Sequence, residues 1–474
     1  MSVVTNTTTI GAIELPSRRN TELVLLGLAV AIPIFAYANA GLAIHGKLPP
    51  GMIAYGLGLG LLAGIAHVVV RRYAKYADPL LLPLATLLNG LGLVLIWRLD
   101  QSERLQNLAK RSWGAFSPAA PNQLFFTAIG ITLFVGVLLI MKDHRTLQRF
   151  TYISMAVALV LLILPMVPGL GADVFGAKIW ISVGGFSIQP GEFAKIVIAV
   201  FFAGYLMVKR DALALASRRF MGLYLPRGRD LGPILMIWAM SLLILIFETD
   251  LGTSLLFFGM FVVMLYVATE RTSWIVIGLL MSAGGAVAVA NFSSHVGARV
   301  NAFLDPFSCF KTSGACEQVG NALMSFGSGG VLGTGWGQGH SDLILFAANS
   351  DFIFTTVGEE LGLAGVMAFL MLYALIVERG ARTALASRDP FGKLFAIGLT
   401  GAFAIQIFVV AGGVMGLIPL TGMTMPFLAS GGSSVIANWA LIGILIRISD
   451  TARRPAPMPA SSTDSELTQV VRPS

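Results

Sequence analysis

The sequence predicts an all-α polytopic membrane protein with about twelve transmembrane helices. Three observations carry that prediction. The 474 residues are 56% hydrophobic and only 12% charged, with a mean hydropathy of +0.80, a balance outside that of soluble domains. Apolar runs of about 20 residues, the length that crosses a bilayer, recur from end to end. The basic residues fall on alternate connections between those runs.

The first 20 residues are polar and end in Arg18-Arg19. Residues 1–21 therefore read as a cytoplasmic tail rather than a cleavable signal. Apolar runs follow near 22–42, 51–70, 79–97, 122–141, 151–168, 192–208, 231–248, 250–268, 273–291, 351–378, 394–416 and 432–449. Residues 22–449 thus form one transmembrane domain. Only Glu248-Thr249-Asp250 separates the seventh run from the eighth. From Thr451 the chain is rich in Pro, Ser and Thr, so residues 450–474 read as a disordered cytoplasmic tail.

With a cytoplasmic N-terminus, 23 of the 32 Lys and Arg fall on internal segments and eight on external ones; Lys195 lies within a span. Losing one span would invert the rest of the chain and spoil the asymmetry. The long polar, glycine-rich interval 292–350 is then external, where solvent-facing chemistry can sit. The net charge of +8 reflects this topology and does not call for a nucleic-acid partner. Two cysteines are too few for a disulfide framework or a thiolate metal site. The chain has no phosphate-binding Gly-Lys-Ser/Thr loop, His-Glu-x-x-His pair or nucleophile elbow, and its five histidines are scattered.

Ionisable residues inside spans are costly and mark function or a paired partner. Glu192 and Lys195 are three apart, on one helical face. Glu248 and Asp250 sit at a reversal between two spans, as a lined cavity or as exposed loop carboxylates. Asp351 opens the tenth span, where a helix cap is the simplest role. Glu359 and Glu360 lie too deep for a cap and need polar partners. Two stretches carry broken-helix signals: Trp180 to Gly191, and Pro419 to Ser434, which includes Ser433 and Ser434. Both lie on the external side, so with the 292–350 loop they outline one external vestibule. Non-helical backbone at membrane depth needs protein or a cavity around it.

Four stretches resemble the SEDS family of bacterial cell-wall polymerases, the RodA/FtsW/SpoVE group. They are Gly176 to Trp180 continuing through Gln189-Pro190-Gly191-Glu192 to Lys195; Glu248-Thr249-Asp250-Leu251-Gly252; Ser350-Asp351-Phe352 through Glu359-Glu360-Leu361-Gly362; and Pro419-Leu420-Thr421-Gly422 through Pro426-Phe427 to Ser434. They occur in family order and span roughly 150–450. Two extra N-terminal spans beyond the family's usual ten are similar to an actinobacterial RodA-like branch. The resemblance implies a peptidoglycan glycosyltransferase that polymerises lipid II, a disaccharide-peptide on undecaprenyl pyrophosphate, at the outer membrane face. It further implies a class B penicillin-binding protein as partner and a role in cell shape, elongation or division. The family's catalytic carboxylate lies in the long external loop. Cationic groups or a metal ion stabilise the pyrophosphate, which makes Arg299, Lys178 and Lys195 the candidates here. No covalent cofactor is implied, and magnesium or manganese is the divalent ion such chemistry would use.

The loop departs from the family pattern. Asp305-Pro306 is present, but the position of a second Asp reads Ser308-Cys309-Phe310, and the family's Gly-Tyr-Gln position reads Cys316-Glu317-Gln318. Asp305 is then a candidate base or a turn residue before proline, and Glu317 is the alternative base. Cys309 and Cys316 are both external and are expected to close a small disulfide loop. Three functions stay open at this point: lipid II polymerase, flippase or transporter of the same lipid, and a catalytically weakened scaffold for a penicillin-binding protein.

Overall fold

The computed structural model describes residues 18–455, apart from 175–176, 184–185, 215, 221–222, most of 227–249, 293 and 312. It is a helical polytopic architecture. Helices α1 (Arg19–His45), α2 (Met52–Tyr73) and α3 (Leu81–Asp100) open it. A short amphipathic α4 (Glu103–Trp113) precedes α5 (Ala119–Ile140) and α6 (Thr151–Ile163). Then come α7 (Pro190–Ala214), α8 (Leu251–Thr269) and α9 (Ser273–Phe292). The long loop folds into α10 (Ser294–Leu304), α11 (Gly314–Gly329) and a 3-10 stretch, Ser341–Asn349. Helices α12 (Ile353–Ala386), α13 (Pro390–Val414) and α14 (Gly432–Arg453) complete the bundle.

Among the described residues ten helices are long and apolar enough to cross a membrane. The run at 273–291 is α9, whose apolar length is shorter than theirs, and the run at 231–248 lies outside the described residues. The broken-helix stretch around Trp180, which reads from the sequence as a re-entrant or interfacial loop, is largely β-structure. Gly171–Val174, Ala177–Val183 and Phe186–Ile188 form a three-stranded antiparallel sheet, β1–β2–β3. Ile179, Trp180, Ile181 and Val183 are the β-branched and aromatic types that suit a pleated surface. A second hairpin, Ala216–Phe220 with Leu223–Pro226, follows α7.

Helices α3 and α14 are enclosed by neighbours on nearly all sides, whereas α1, α2, α5 and α6 keep broad apolar outer faces. Helix α14 packs on α5, α3 on α1, and α13 on both α8 and α12. One end of the bundle holds both ends of the described chain. There the Arg19 guanidinium donates to the Ala77 carbonyl, Arg453 pairs with Asp78 at 2.6 Å, and Asp450 accepts the Tyr76 amide at 2.9 Å. The 292–350 segment sits at the other end.

Helix α12 is broken at Gly362, where φ is +65°. The freed backbone groups are taken up by the preceding glycine-rich loop. Thr334 N–H donates to Glu359 O at 2.9 Å, Gly335 N–H to Glu360 O at 3.0 Å, and Leu363 N–H to Gly330 O at 2.9 Å. Gly333, at φ +83°, leaves no room for a Cβ against the Glu360 carbonyl. Gly333→Ala is expected to lose more than about 1 kcal/mol, the left-handed penalty alone. A lower thermal-unfolding midpoint in detergent checks this; an unchanged midpoint contradicts it.

Candidate functional site

Three charged side chains meet where the two broken segments approach the long loop. Asp250 caps α8: its carboxylate accepts the Thr253 amide at 3.0 Å and the Thr253 hydroxyl. Helix α10 is seated by Val296, which packs with Val289 and Leu251. That places Arg299, three residues on, over the 419–431 loop, where it donates to the Thr421 carbonyl at 2.7 Å. A Cβ on Gly422 would stand 3.0 Å from its guanidinium, so the arginine lies flat on this backbone. Asp351 completes the group. It was expected as a helix cap, but the cap position is Phe352, with no side-chain bond. Asp351 instead lies within electrostatic range of Arg299 and Asp250.

Burial raises the Asp351 carboxyl to about 6, against the opposing pull of Arg299 and a hydrogen bond from Ser350, with Asp250 adding like-charge repulsion. Burial also raises Asp250, opposed by Thr253 and Arg299. A carboxylate that titrates near neutrality suits proton transfer at physiological pH, and a half-buried arginine suits an anion.

The 419–431 loop crosses the interior with only one turn of its own, closed by the Leu428 and Ala429 amides on the Met425 carbonyl, and side chains from neighbouring helices satisfy much of the rest. Tyr373 Oη donates to Pro426 O at 2.7 Å, Gln406 Nε2 to Thr424 O at 2.9 Å, and Gln123 Nε2 to Ala429 O at 3.1 Å. The Ser430 amide reaches Asn349 O at 2.8 Å, and Gly431 N–H returns to Gln123 Oε1. This is the arrangement that irregular backbone inside a membrane requires.

Glu192 and Lys195 form a sealed network. Lys195 Nζ donates to Glu192 at 2.6 Å, Gln406 Oε1 at 2.9 Å and Asn438 Oδ1 at 3.1 Å. The lysine is 1% exposed and all three of its protons are used. It is thus closed to pyrophosphate and ties α7 to α13 and α14. Ser433 Oγ accepts the Gln189 amide at 2.8 Å, and Ser434 accepts from Asn438, so both extend the same brace.

Glu359 and Glu360 bind the glycine-rich loop. Glu359 accepts His340 N–H at 2.7 Å and Ser341 Oγ at 2.6 Å. Glu360 accepts Gly337 N–H at 2.8 Å and pairs with Arg98, whose guanidinium also donates to Gly339 O. The sequence showed that these glutamates needed partners. It did not identify Arg98, which lies some 260 residues away in the chain.

Asp305 is exposed at the C-terminal end of α10. Its Oδ1 accepts the Phe307 and Ser308 amides at 3.2 and 3.1 Å, an Asx turn. Glu317 is exposed in the first turn of α11. Cys309 and Cys316 are joined as a disulfide, with Cα atoms 5.7 Å apart, fastening the start of α11 to the turn after Asp305. Lys178 lies on β2 with its side chain outside the described residues, as is all of Glu248. Among the described residues no three His, Cys, Asp or Glu come together. Asp250 and Asp351 supply two carboxylates, and Arg299 supplies positive charge beside them; by themselves these residues fall short of the about six oxygen ligands of a divalent cation.

An apolar cavity of about 470 Å³ lies against this cluster, between α8, α9 and α13. Leu251, Phe258, Leu279, Phe408 and Ile418 line it, and Thr421, the residue that holds Arg299, closes one end. Arg299, held on the Thr421 carbonyl, thus sits beside an apolar cavity.

Residues 79–454 match the FtsW/RodA/SpoVE family, described as cell cycle proteins. The chain belongs to that family. Relatives named peptidoglycan glycosyltransferase RodA, from Mycobacterium bovis and Mycobacterium tuberculosis, are 46% identical over 93% of this chain and 92% of theirs. Stage V sporulation protein E of Bacillus subtilis is 33% identical over 70% of this chain and 87% of its own. Among solved structures, RodA of Thermus thermophilus matches with a TM-score of 0.53 at 22% identity, covering 80% of this chain and 98% of that one. A chain from a peptidoglycan synthase complex, in work on the coordination of polymerisation and crosslinking, matches with a TM-score of 0.60 at 22% identity over 80% and 99%. These two likenesses establish the shared fold of the FtsW/RodA/SpoVE member described here. The family match begins at residue 79, so α1 and α2 stand outside it. Helix α1 packs on α3 of the matched core, and Tyr55 of α2 donates to the Gly90 carbonyl of α3.

Proposed function

We propose that this peptidoglycan glycosyltransferase of the FtsW/RodA/SpoVE family polymerises lipid II at the outer face of the cytoplasmic membrane, with both termini in the cytoplasm. The observation that carries the reading is Arg299, held on the Thr421 carbonyl between Asp250 and Asp351 at the head of the apolar cavity. In this reading the undecaprenyl chain lies along the cavity, and Arg299 pairs with the pyrophosphate. The acceptor sugar hydroxyl attacks the donor's anomeric carbon, and Asp351 takes the hydroxyl proton. The bond from that carbon to the pyrophosphate oxygen breaks, and lipid pyrophosphate leaves with the electron pair. The developing negative charge falls beside Arg299, where a fixed cation in a water-poor site is most effective.

Asp305 is a second candidate base, because its Oδ2 is solvent-facing and makes no bond. The flippase reading would require Glu192 and Lys195 to open a path, yet Lys195 is held by Glu192, Gln406 and Asn438, and Glu192 by Lys195 and Gln406. A class B penicillin-binding protein is the proposed partner, supplying the crosslinking that this chain's chemistry does not. The deciding experiment is polymerisation of lipid II by the purified protein, with the partner added. No glycan product, while a related polymerase works under the same conditions, rejects the reading.

The cavity makes a separate prediction. Leu279 lines it from α9 and is exposed on the surface of the bundle. Leu279→Trp is expected to raise KM for lipid II by about tenfold, roughly 1.4 kcal/mol of lost tail binding, with little change in kcat. An unchanged KM would place the tail elsewhere.

A further inference from the structure

We propose that a second pocket, between α4 and the 341–350 segment, is a saccharide subsite that holds the glycan strand next to the reacting groups; this rests on the polymerase reading. The pocket measures about 420 Å³, and its walls include Leu99, Asp100, Phe116, Phe346, Asn349 and Ser430. Leu105 and Ala109 are buried and seat α4 over it. Ser102 Oγ fastens the start of α4 to Asp342 at 2.9 Å.

Its chemistry is specific. Asn349 Oδ1 is buried and has no hydrogen-bond partner, although the Asn349 backbone carbonyl is taken by Ser430 N–H. An orphaned buried acceptor is unfavourable, and this one belongs to a residue of the pocket wall. Asp100 Oδ1 and Oδ2 accept the amides of Ala119 and Ala120 at 3.0 and 2.8 Å, and each oxygen can accept one more bond. No Lys or Arg lines the pocket, so pyrophosphate has no counter-charge there and Asp100 repels it. What remains is a set of acceptors and the hydroxyls of Ser117, Ser350 and Ser430, flanked by two phenyl rings and short aliphatic side chains. That set suits a pyranose, whose O–H and N–H groups donate while its C–H faces lie on apolar surface.

Position supports the assignment. Ser350 lines the same pocket and precedes Asp351. Ser430 ends the loop whose other end, at Thr421, carries Arg299. A strand in this pocket would therefore lie directly beside the proposed point of sugar transfer. The ligand class is an N-acetylated hexosamine oligosaccharide, with the acetamido N–H facing Asn349.

The test uses the full chain in lipid nanodiscs and tri-N-acetylchitotriose as the probe, read by saturation-transfer NMR, with mannotriose as control. Transfer to the acetyl methyl protons is expected for the chitotriose and not for the control. Asn349→Leu is expected to weaken binding by about tenfold, the loss of one buried polar contact. Ala115→Trp fills the pocket mouth from an exposed loop position and should do the same without disturbing the core. Absence of transfer from the unmodified protein, or transfer kept by both variants, overturns the subsite. Polymerisation is a separate arm. With lipid II, both variants should make shorter strands than the unmodified protein, and unchanged strand length overturns the proposal. An unmodified protein that binds chitotriose yet makes no polymer supports the subsite while rejecting the polymerase reading.

Discussion

Asp351→Asn is expected to lower glycan polymerisation by about 10²- to 10⁴-fold, the range for loss of a positioned general base. Asparagine keeps the size of the side chain and its hydrogen bonding to Ser350, so expression and thermal stability should change little. In the unmodified enzyme, kcat/KM should fall as the pH drops through about 6, because burial sets the Asp351 carboxyl there and only the ionised form accepts a proton. Asp305→Asn is the companion measurement. Asparagine also makes the Asx turn to Phe307 and Ser308, so if Asp305 only shapes the loop this variant stays close to full activity. A large loss from Asp305→Asn with a small loss from Asp351→Asn would transfer the base role to Asp305.

The second large effect is on stability. Glu360→Ala should destabilise the protein by about 3–5 kcal/mol, the usual result of removing one partner from a buried ion pair. It strands the Arg98 guanidinium and frees the Gly337 amide. Because Glu360 also fixes the loop that leads into the Ser341–Asn349 stretch, the variant should be more readily cut by protease between residues 330 and 341. The double variant Arg98→Met/Glu360→Leu should recover much of the thermal-unfolding midpoint, since a well-packed apolar pair of similar volume is often neutral. Equal losses in the single and double variants would show that the charge pair itself carries the stability.

Particular residues show how much could be read from the chain. Glu192 and Lys195 declared a shared face through their spacing, and the structure pairs them. Glu359 and Glu360 announced a need for partners, but His340, Ser341, Gly337 and Arg98 were not visible as those partners. Gln123 and Gln406 are polar residues inside apolar runs; their joint role around the 419–431 loop depends on α5 and α13 meeting it. Trp180 to Val183 looked like a membrane-surface loop and is a strand, because pairing with β1 and β3 decides a short apolar run that periodicity leaves ambiguous. Asp351 looked like a cap and instead lies within electrostatic range of Arg299.

Span length, apolar content and the placement of Lys and Arg are properties of the chain taken locally. They determined that this protein is a multi-pass helical membrane protein and put its polar chemistry at the 292–350 loop. The proposed reactive grouping is different in kind. Asp250, Arg299, Asp351 and Thr421 lie on four separate segments, and burial and mutual field set the character of their charges. Both are properties of three-dimensional packing, so only the tertiary structure could move attention from Asp305, on the exposed turn, to the carboxylates around Arg299.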